Sequence, residues 1–319
     1  MIRAQDPVLS LNPDRLFSAD PSQRAIAKRL YAEVKNLPII SPHGHTDPSW
    51  FAKNESFGNA TELLIRPDHY VFRMLYSLGV PLESLGIPTK DGTPVETDAL
   101  KIWKKFAEYY YAFRGTPSRM WLDHVFSEVF GLEVALTPAT AEHYFEHINS
   151  RLSQTSFLPR ALFERFNIEC LATTESPLDD LRHHQAIRDS GWKGNVITAF
   201  RPDPVVDPDF EGFSENVAKL GEITGENTAT YAGYLQALRN RRAYFASLGA
   251  TSTDHGHPTA FTADLSAQEA EALFAKALKG ECTAGEAELF RGQMLTEMAA
   301  MSLEAVSYTH LTLPTKPSV

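Results

Sequence analysis

A chain of 319 residues, 43% apolar and 22% charged, has the make-up of a soluble globular protein and enough length for one α/β barrel. Thirty Lys and Arg against forty Asp and Glu leave a net charge of -10 with no basic run or stripe, so no nucleic acid and no anionic membrane is expected as a partner. No apolar run reaches the roughly 18 residues of a membrane span. The start, Met1 to Asp6, lacks signal-peptide character, and Cys170 and Cys282 share no metal or redox spacing, so a reducing cytoplasm is the expected setting.

In chain order, Asp20-Pro21 opens a predicted helix with Ile26, Leu30 and Val34 on one face, closed by Pro38. The apolar run Leu37 to Ser41 predicts a short buried strand that exits into Ser41-Pro42-His43-Gly44-His45-Thr46-Asp47-Pro48. Residues i and i+2 of an extended segment face the same side, so His43 and His45 would converge on one spot. A divalent metal is held in that way at the mouth of a parallel barrel. Two polar turn residues beside Gly44 and Pro48 would leave the same letters.

About 125 residues separate this strand from the next, too many for one crossover helix. Helical patterns fill the gap. Leu100, Trp103, Phe106, Tyr110 and Phe113 form one stripe, Trp121, Val125 and Val129 a second, and Tyr144, Ile148 and Leu152 a third. The expected arrangement is a helical insertion over residues 49–160. Within it, Arg66-Pro67-Asp68-His69-Tyr70-Val71-Phe72-Arg73 sets a titratable imidazole beside a phenol, a pair that matters to chemistry only if this segment covers a site.

Ile168 to Thr173 predicts a second strand, with Cys170 expected to be a buried, inert thiol. It runs into Thr174-Glu175-Ser176, where Glu175 reads as a surface loop acid, with a place in the site as the alternative, and Ser176 as the cap of a helix with Pro177 at its first position. Asn195 to Phe200 predicts a third strand, leading to Arg201-Pro202-Asp203. Arg201 offers a donor fork for a carboxylate or phosphate, and a plain ion pair with Asp203 is the alternative. Ala250 to Asp254 predicts a fourth, leading to His255-Gly256-His257, where Asp254 and His255 are functional candidates and His257 is not. Between them lies a helix over 231–248 carrying Leu235, Leu238, Arg242 and Phe245. Ser266-x-x-Glu269 and Thr283-x-x-Glu286 read as capping boxes. The alternation of strands and helices argues for βαβ units and a parallel sheet.

Taken together, His-Gly-His after the first strand, Asp-His-Tyr-x-x-Arg in the insertion, Thr-Thr-Glu-Ser-Pro-Leu-Asp-Asp-Leu after the second strand, Phe-Arg-Pro-Asp after the third and Asp-His-Gly after the fourth resemble the uronate (glucuronate) isomerases of the amidohydrolase superfamily, over roughly residues 20 to 303. The resemblance implies an amidohydrolase-type TIM (β/α)8 barrel, of which the first four β/α units are countable here. It implies His43 and His45 as ligands of a divalent metal, commonly zinc. It places His69 and Tyr70 at the substrate in proton transfer, and Arg201, with Asp254 and His255 nearby, in substrate binding. The implied reaction is aldose–ketose isomerisation of uronic acids by a cytoplasmic enzyme, with a homo-oligomer as the possible assembly.

That family's remaining metal ligand, an Asp after the eighth strand, has no counterpart in these residues. The last stretch, residues 304–319, resembles translated sequencing-adapter sequence and is expected to be non-native, although by pattern it also reads as a strand ending at Pro314. The chain is thus expected to be a C-terminally truncated form without activity of its own. A metal-dependent hydrolase and an inactive fragment are the alternatives.

Overall fold

The computed structural model describes residues 7–304 and the backbone of 311–312; the remainder of the 304–319 stretch lies outside the described residues. Five parallel strands form one sheet in chain order: β1 (Ile39–Ser41), β2 (Ile168–Glu175), β3 (Val196–Phe200), β4 (Ser252–Asp254) and the two-residue β5 (Leu311–Thr312). β1 to β4 are the four strands expected from the sequence, and with the helices between them they make a parallel α/β half-barrel. Thr173 of β2 stands opposite Thr198 of β3, and Glu175 opposite Phe200. Because side chains alternate along a strand, Thr173 and Glu175 share one face of β2, and Thr174 takes the other.

The chain divides into two compact units, one made of the residues up to Leu37 with Asn54–Leu162, the other of Pro38–Lys53 with the residues from Phe163 onward. The second unit holds the sheet. Its core sets Phe200 of β3 against Phe245 of the helix Tyr231–Ser247, with ring centroids 5.0 Å apart, and stacks Tyr234 on Phe274 at 4.6 Å. Met294, Met298 and Met301 of the helix Ala284–Glu304 complete it. Both predicted capping boxes are present: Ser266 with Glu269, and Thr283 with Glu286. Pro48–Lys53, within the stretch read as the start of the insertion, is a short helix of this unit whose Phe51 packs on Phe163 and Trp192.

The other unit is helical. Trp103, Phe106, Tyr110 and Phe113 are buried as expected, and the indole N–H of Trp103 donates to the Ala141 carbonyl at 2.9 Å. The second stripe is shifted. Val125–Val129 winds as a π-helix, with Phe130 N bonded to Val125 O, so Leu122, Phe126 and Phe130 are buried while Trp121 is exposed.

Four local expectations are corrected. The helix Pro21–Val34 forms, but Ile26, Leu30 and Val34 are exposed; no described element covers the stripe. Among the described residues β1 pairs with β2 alone and is not buried, with Ile40 63% exposed. Cys170 is half-buried, and that partial burial raises its thiol pKa. The helix after β2 starts at Arg182 and not at Pro177. Ser176, Asp179 and Asp180 each accept a backbone N–H two residues on, which satisfies the chain as turns and delays the helix, and Leu181 takes the left-handed conformation at φ +55°.

Candidate active site

The residues after β1, β3 and β4 meet at the strands' C-terminal ends, where parallel α/β sheets place their chemistry. Asp254, the last residue of β4, is fully buried, and its Oδ2 lies 3.1 Å from His43 Nε2 and 3.1 Å from Arg201 Nη1. One carboxylate oxygen thus joins loops separated by more than 200 residues of chain. The Oδ1 of Asp254 is buried without a hydrogen-bond partner. All three residues are candidates in the sequence, and the fold gathers them.

His43 and His45 leave β1 together. Their rings stand 5.1 Å apart, edge to face, and the loop is anchored where Thr174 Oγ1 donates to the Gly44 carbonyl at 2.8 Å. Two imidazoles suit a divalent ion. Among the described residues, however, no group of three or more His, Cys, Asp or Glu side chains could hold one, so the described donors make half a metal site.

Arg201 is held twice. Its Nε donates to Asp203 Oδ2 at 2.7 Å while its Nη1 faces Asp254. The plain ion pair with Asp203 and the approach to Asp254 therefore coexist. His255 is fully buried, both ring nitrogens lack a hydrogen-bond partner, and burial first, then the neighbouring His257, Arg242 and Arg201, pull its pKa down to about 3. It is a neutral imidazole at any physiological pH. His257 is buried beside it, ring centroids 5.5 Å apart, with its pKa lowered chiefly by burial and neither ring nitrogen hydrogen-bonded.

Glu175 is not the surface acid it resembles in sequence. It ends β2 at only 8% exposure, and its Oε2 accepts from the hydroxyls of Thr173 and Thr198. Burial pushes its pKa up to about 7 against the pull of those two hydrogen bonds. His184, whose Nε2 lies 2.9 Å from the same Thr173 hydroxyl, is lowered by burial to about 4. Glu175 also lines a pocket of ≈ 740 Å³ with Asp47, Thr174, Asp179 and Lys219. Nothing local in the letters separates Thr174-Glu175 from the start of a polar loop; pairing with β3 places them in β2.

His69 and Tyr70 belong to the helical unit. They open the helix His69–Ser77, whose cap Asp68 accepts from the Tyr70 and Val71 N–H groups. Their rings lie 4.2 Å apart, and Tyr70 is 66% exposed, a surface pair available to a ligand.

A parallel α/β half-barrel with an imidazole–carboxylate–guanidinium cluster at its strand ends has the architecture of the α/β barrel class. A sequence profile of the glucuronate isomerase family matches residues 20–313, and the chain belongs to that family. Uronate isomerases of Xanthomonas axonopodis pv. citri and Rhizorhabdus wittichii are 62% and 64% identical to it, each over 93% of this chain but only 63% and 62% of their own length. Among solved structures, glucuronate isomerase from Caulobacter crescentus superposes with a TM-score of 0.90 at 55% identity, covering 96% of this chain and 63% of that one. Uronate isomerase from Thermotoga maritima does so at 0.82 and 28% identity, over 93% and 62%. The chain spans less than two thirds of the length of these relatives. No described helix is long and apolar enough to cross a membrane.

Proposed function

We propose that this chain is the greater part of a uronate isomerase, which interconverts D-glucuronate with D-fructuronate and D-galacturonate with D-tagaturonate on a complete (β/α)8 barrel. The family match favours this over a hydrolase. The observation that carries it at the site is the single Asp254 oxygen shared by His43 and Arg201. Such isomerisation moves one proton between neighbouring carbons and another between their oxygens, so it needs groups that hold and pass protons beside a fixed polar substrate.

In this reading Arg201 orients the anionic substrate through its carboxylate or a neighbouring hydroxyl. Asp254, which fixes Arg201 Nη1, and the neutral His255 beside it complete the substrate-binding set. His69 and Tyr70 assist proton transfer. A divalent ion held by His43 and His45, zinc by resemblance to the family, would supply polarisation of the substrate's carbonyl oxygen. A cytoplasmic homo-oligomer is part of the same reading, as is a non-native origin for the tail 304–319, although the family match extends to residue 313.

The test compares two proteins: the 319-residue chain, and the chain continued downstream of Leu303 to the length of its relatives. Glucuronate conversion is read through a ketose-specific reductase with zinc supplied. The longer protein is expected to turn over and to lose activity in His43→Ala and Arg201→Met, and the 319-residue chain to be silent. A longer protein that folds and converts neither glucuronate nor galacturonate would sink the reading.

A further inference from the structure

We propose that Asp203 is a positioning residue for Arg201: its buried carboxylate sets the plane and rotation of the guanidinium and ties the β3 and β4 loops together in doing so. The inference rests on the reading of Arg201 as a substrate-facing group.

Asp203 is only 7% exposed, and both of its oxygens are committed. Oδ2 accepts from Arg201 Nε at 2.7 Å, and Oδ1 accepts from the Gly256 backbone N–H at 2.6 Å. One carboxylate therefore spans two loops that are 53 residues apart in sequence. Arg201 is in turn held at two atoms, Nε by Asp203 and Nη1 by Asp254 at 3.1 Å. A planar fork fixed at two of its three nitrogens keeps one orientation. Nη2 is the nitrogen that neither carboxylate claims.

Gly256 shows how closely this arrangement is fitted. A Cβ at that position would stand 2.7 Å from Arg201 Nη2 and 3.0 Å from Asp203 Oδ1. Its φ is not in the left-handed region, so crowding by the fork, and not backbone conformation, requires the glycine. An ion pair that served only to neutralise Arg201 would need neither the backbone bond to Gly256 nor the missing side chain there.

The experiment uses the rate at which phenylglyoxal modifies Arg201, resolved by peptide mass spectrometry and referred to the exposed Arg182 of the same molecule. In Asp203→Asn the loop-to-loop acceptor survives but the anionic partner of Nε does not. Gly256→Ala crowds the fork from the other side and reports the same displacement should the Asn variant fail to fold. Both variants are expected to speed Arg201 modification by about tenfold, the equivalent of one lost charge-assisted hydrogen bond, with Asp203→Glu recovering part of the protection. An unchanged Arg201 rate in folded Asp203→Asn overturns the proposal. In the protein of relatives' length, Asp203→Asn is expected to lower kcat by up to about a hundredfold with a smaller change in KM, since a 1 Å misplacement has that effect. A rise in KM with kcat unchanged also overturns it. If the unmodified protein turns over no uronate, the functional reading fails, and the modification rates still decide whether Asp203 holds Arg201.

Discussion

Glu175 shows how a single residue's environment sets a measurable property of the molecule. Its carboxyl is pushed from 4.5 to about 7, chiefly by burial. Between those two values the folded protein binds the proton that the unfolded chain has released, so stability falls as pH rises from about 4.5 to about 7 and then stays flat. The drop is on the order of 3 kcal/mol. His184, lowered to about 4, acts oppositely, costing stability as pH falls from about 6.5 towards 4. Glu175→Gln leaves the histidine in place and removes only the first slope. The difference between the two proteins' urea-unfolding free energies, followed from pH 4 to 8, should therefore descend as pH rises and level off above about 7. A flat difference would mean that the carboxyl is solvated. Sequence reading missed this residue because strand ends are its weakest point: Thr174 and Glu175 look like the start of a polar loop, and only pairing with β3 shows that they continue β2.

At the level of elements, the capping boxes were legible because both partners of the bond lie within four residues. Ser266 accepts from Glu269 N while the Glu269 carboxylate accepts from Ser266 N, as the spacing requires. Replacing Ser266 with Ala should cost about 1 kcal/mol, read as a lowered urea midpoint at constant slope. No shift in the midpoint would mean that the cap carries nothing. The four strands and most helix faces were legible for the same reason, since alternation and 3.6-residue periodicity are local. Competition between alternative local bonds was not. Asp179 and Asp180 turn the backbone where Pro177 seemed to start a helix, and the π-turn at Val125–Val129 rotates a stripe by about one residue. The site was half legible. His43, Arg201, Asp254 and His255 stand at strand exits that periodicity marks, whereas the second bond of Asp203, to Gly256, depends on how two distant loops pack.

For the molecule as a whole, the decisive count is that of metal donors. Zinc sites use three or four protein ligands, and the described residues offer His43 and His45, with the nearby Asp254 oxygen already shared between His43 and Arg201. Moving that oxygen onto an ion would take it from Arg201, so the two imidazoles are the donors that the described residues bring together. The free energy of zinc binding to the 319-residue chain should then fall well short of the roughly 10 kcal/mol of a complete structural site. Equilibrium dialysis at pH 7 would measure it, with His45→Ala as the control that removes one of the two. Weak uptake, further weakened in the control, is the expected result. One zinc per chain retained at nanomolar free metal, and lost on His45→Ala, would show that a third donor reaches the pair, and the half-site description would have to be abandoned.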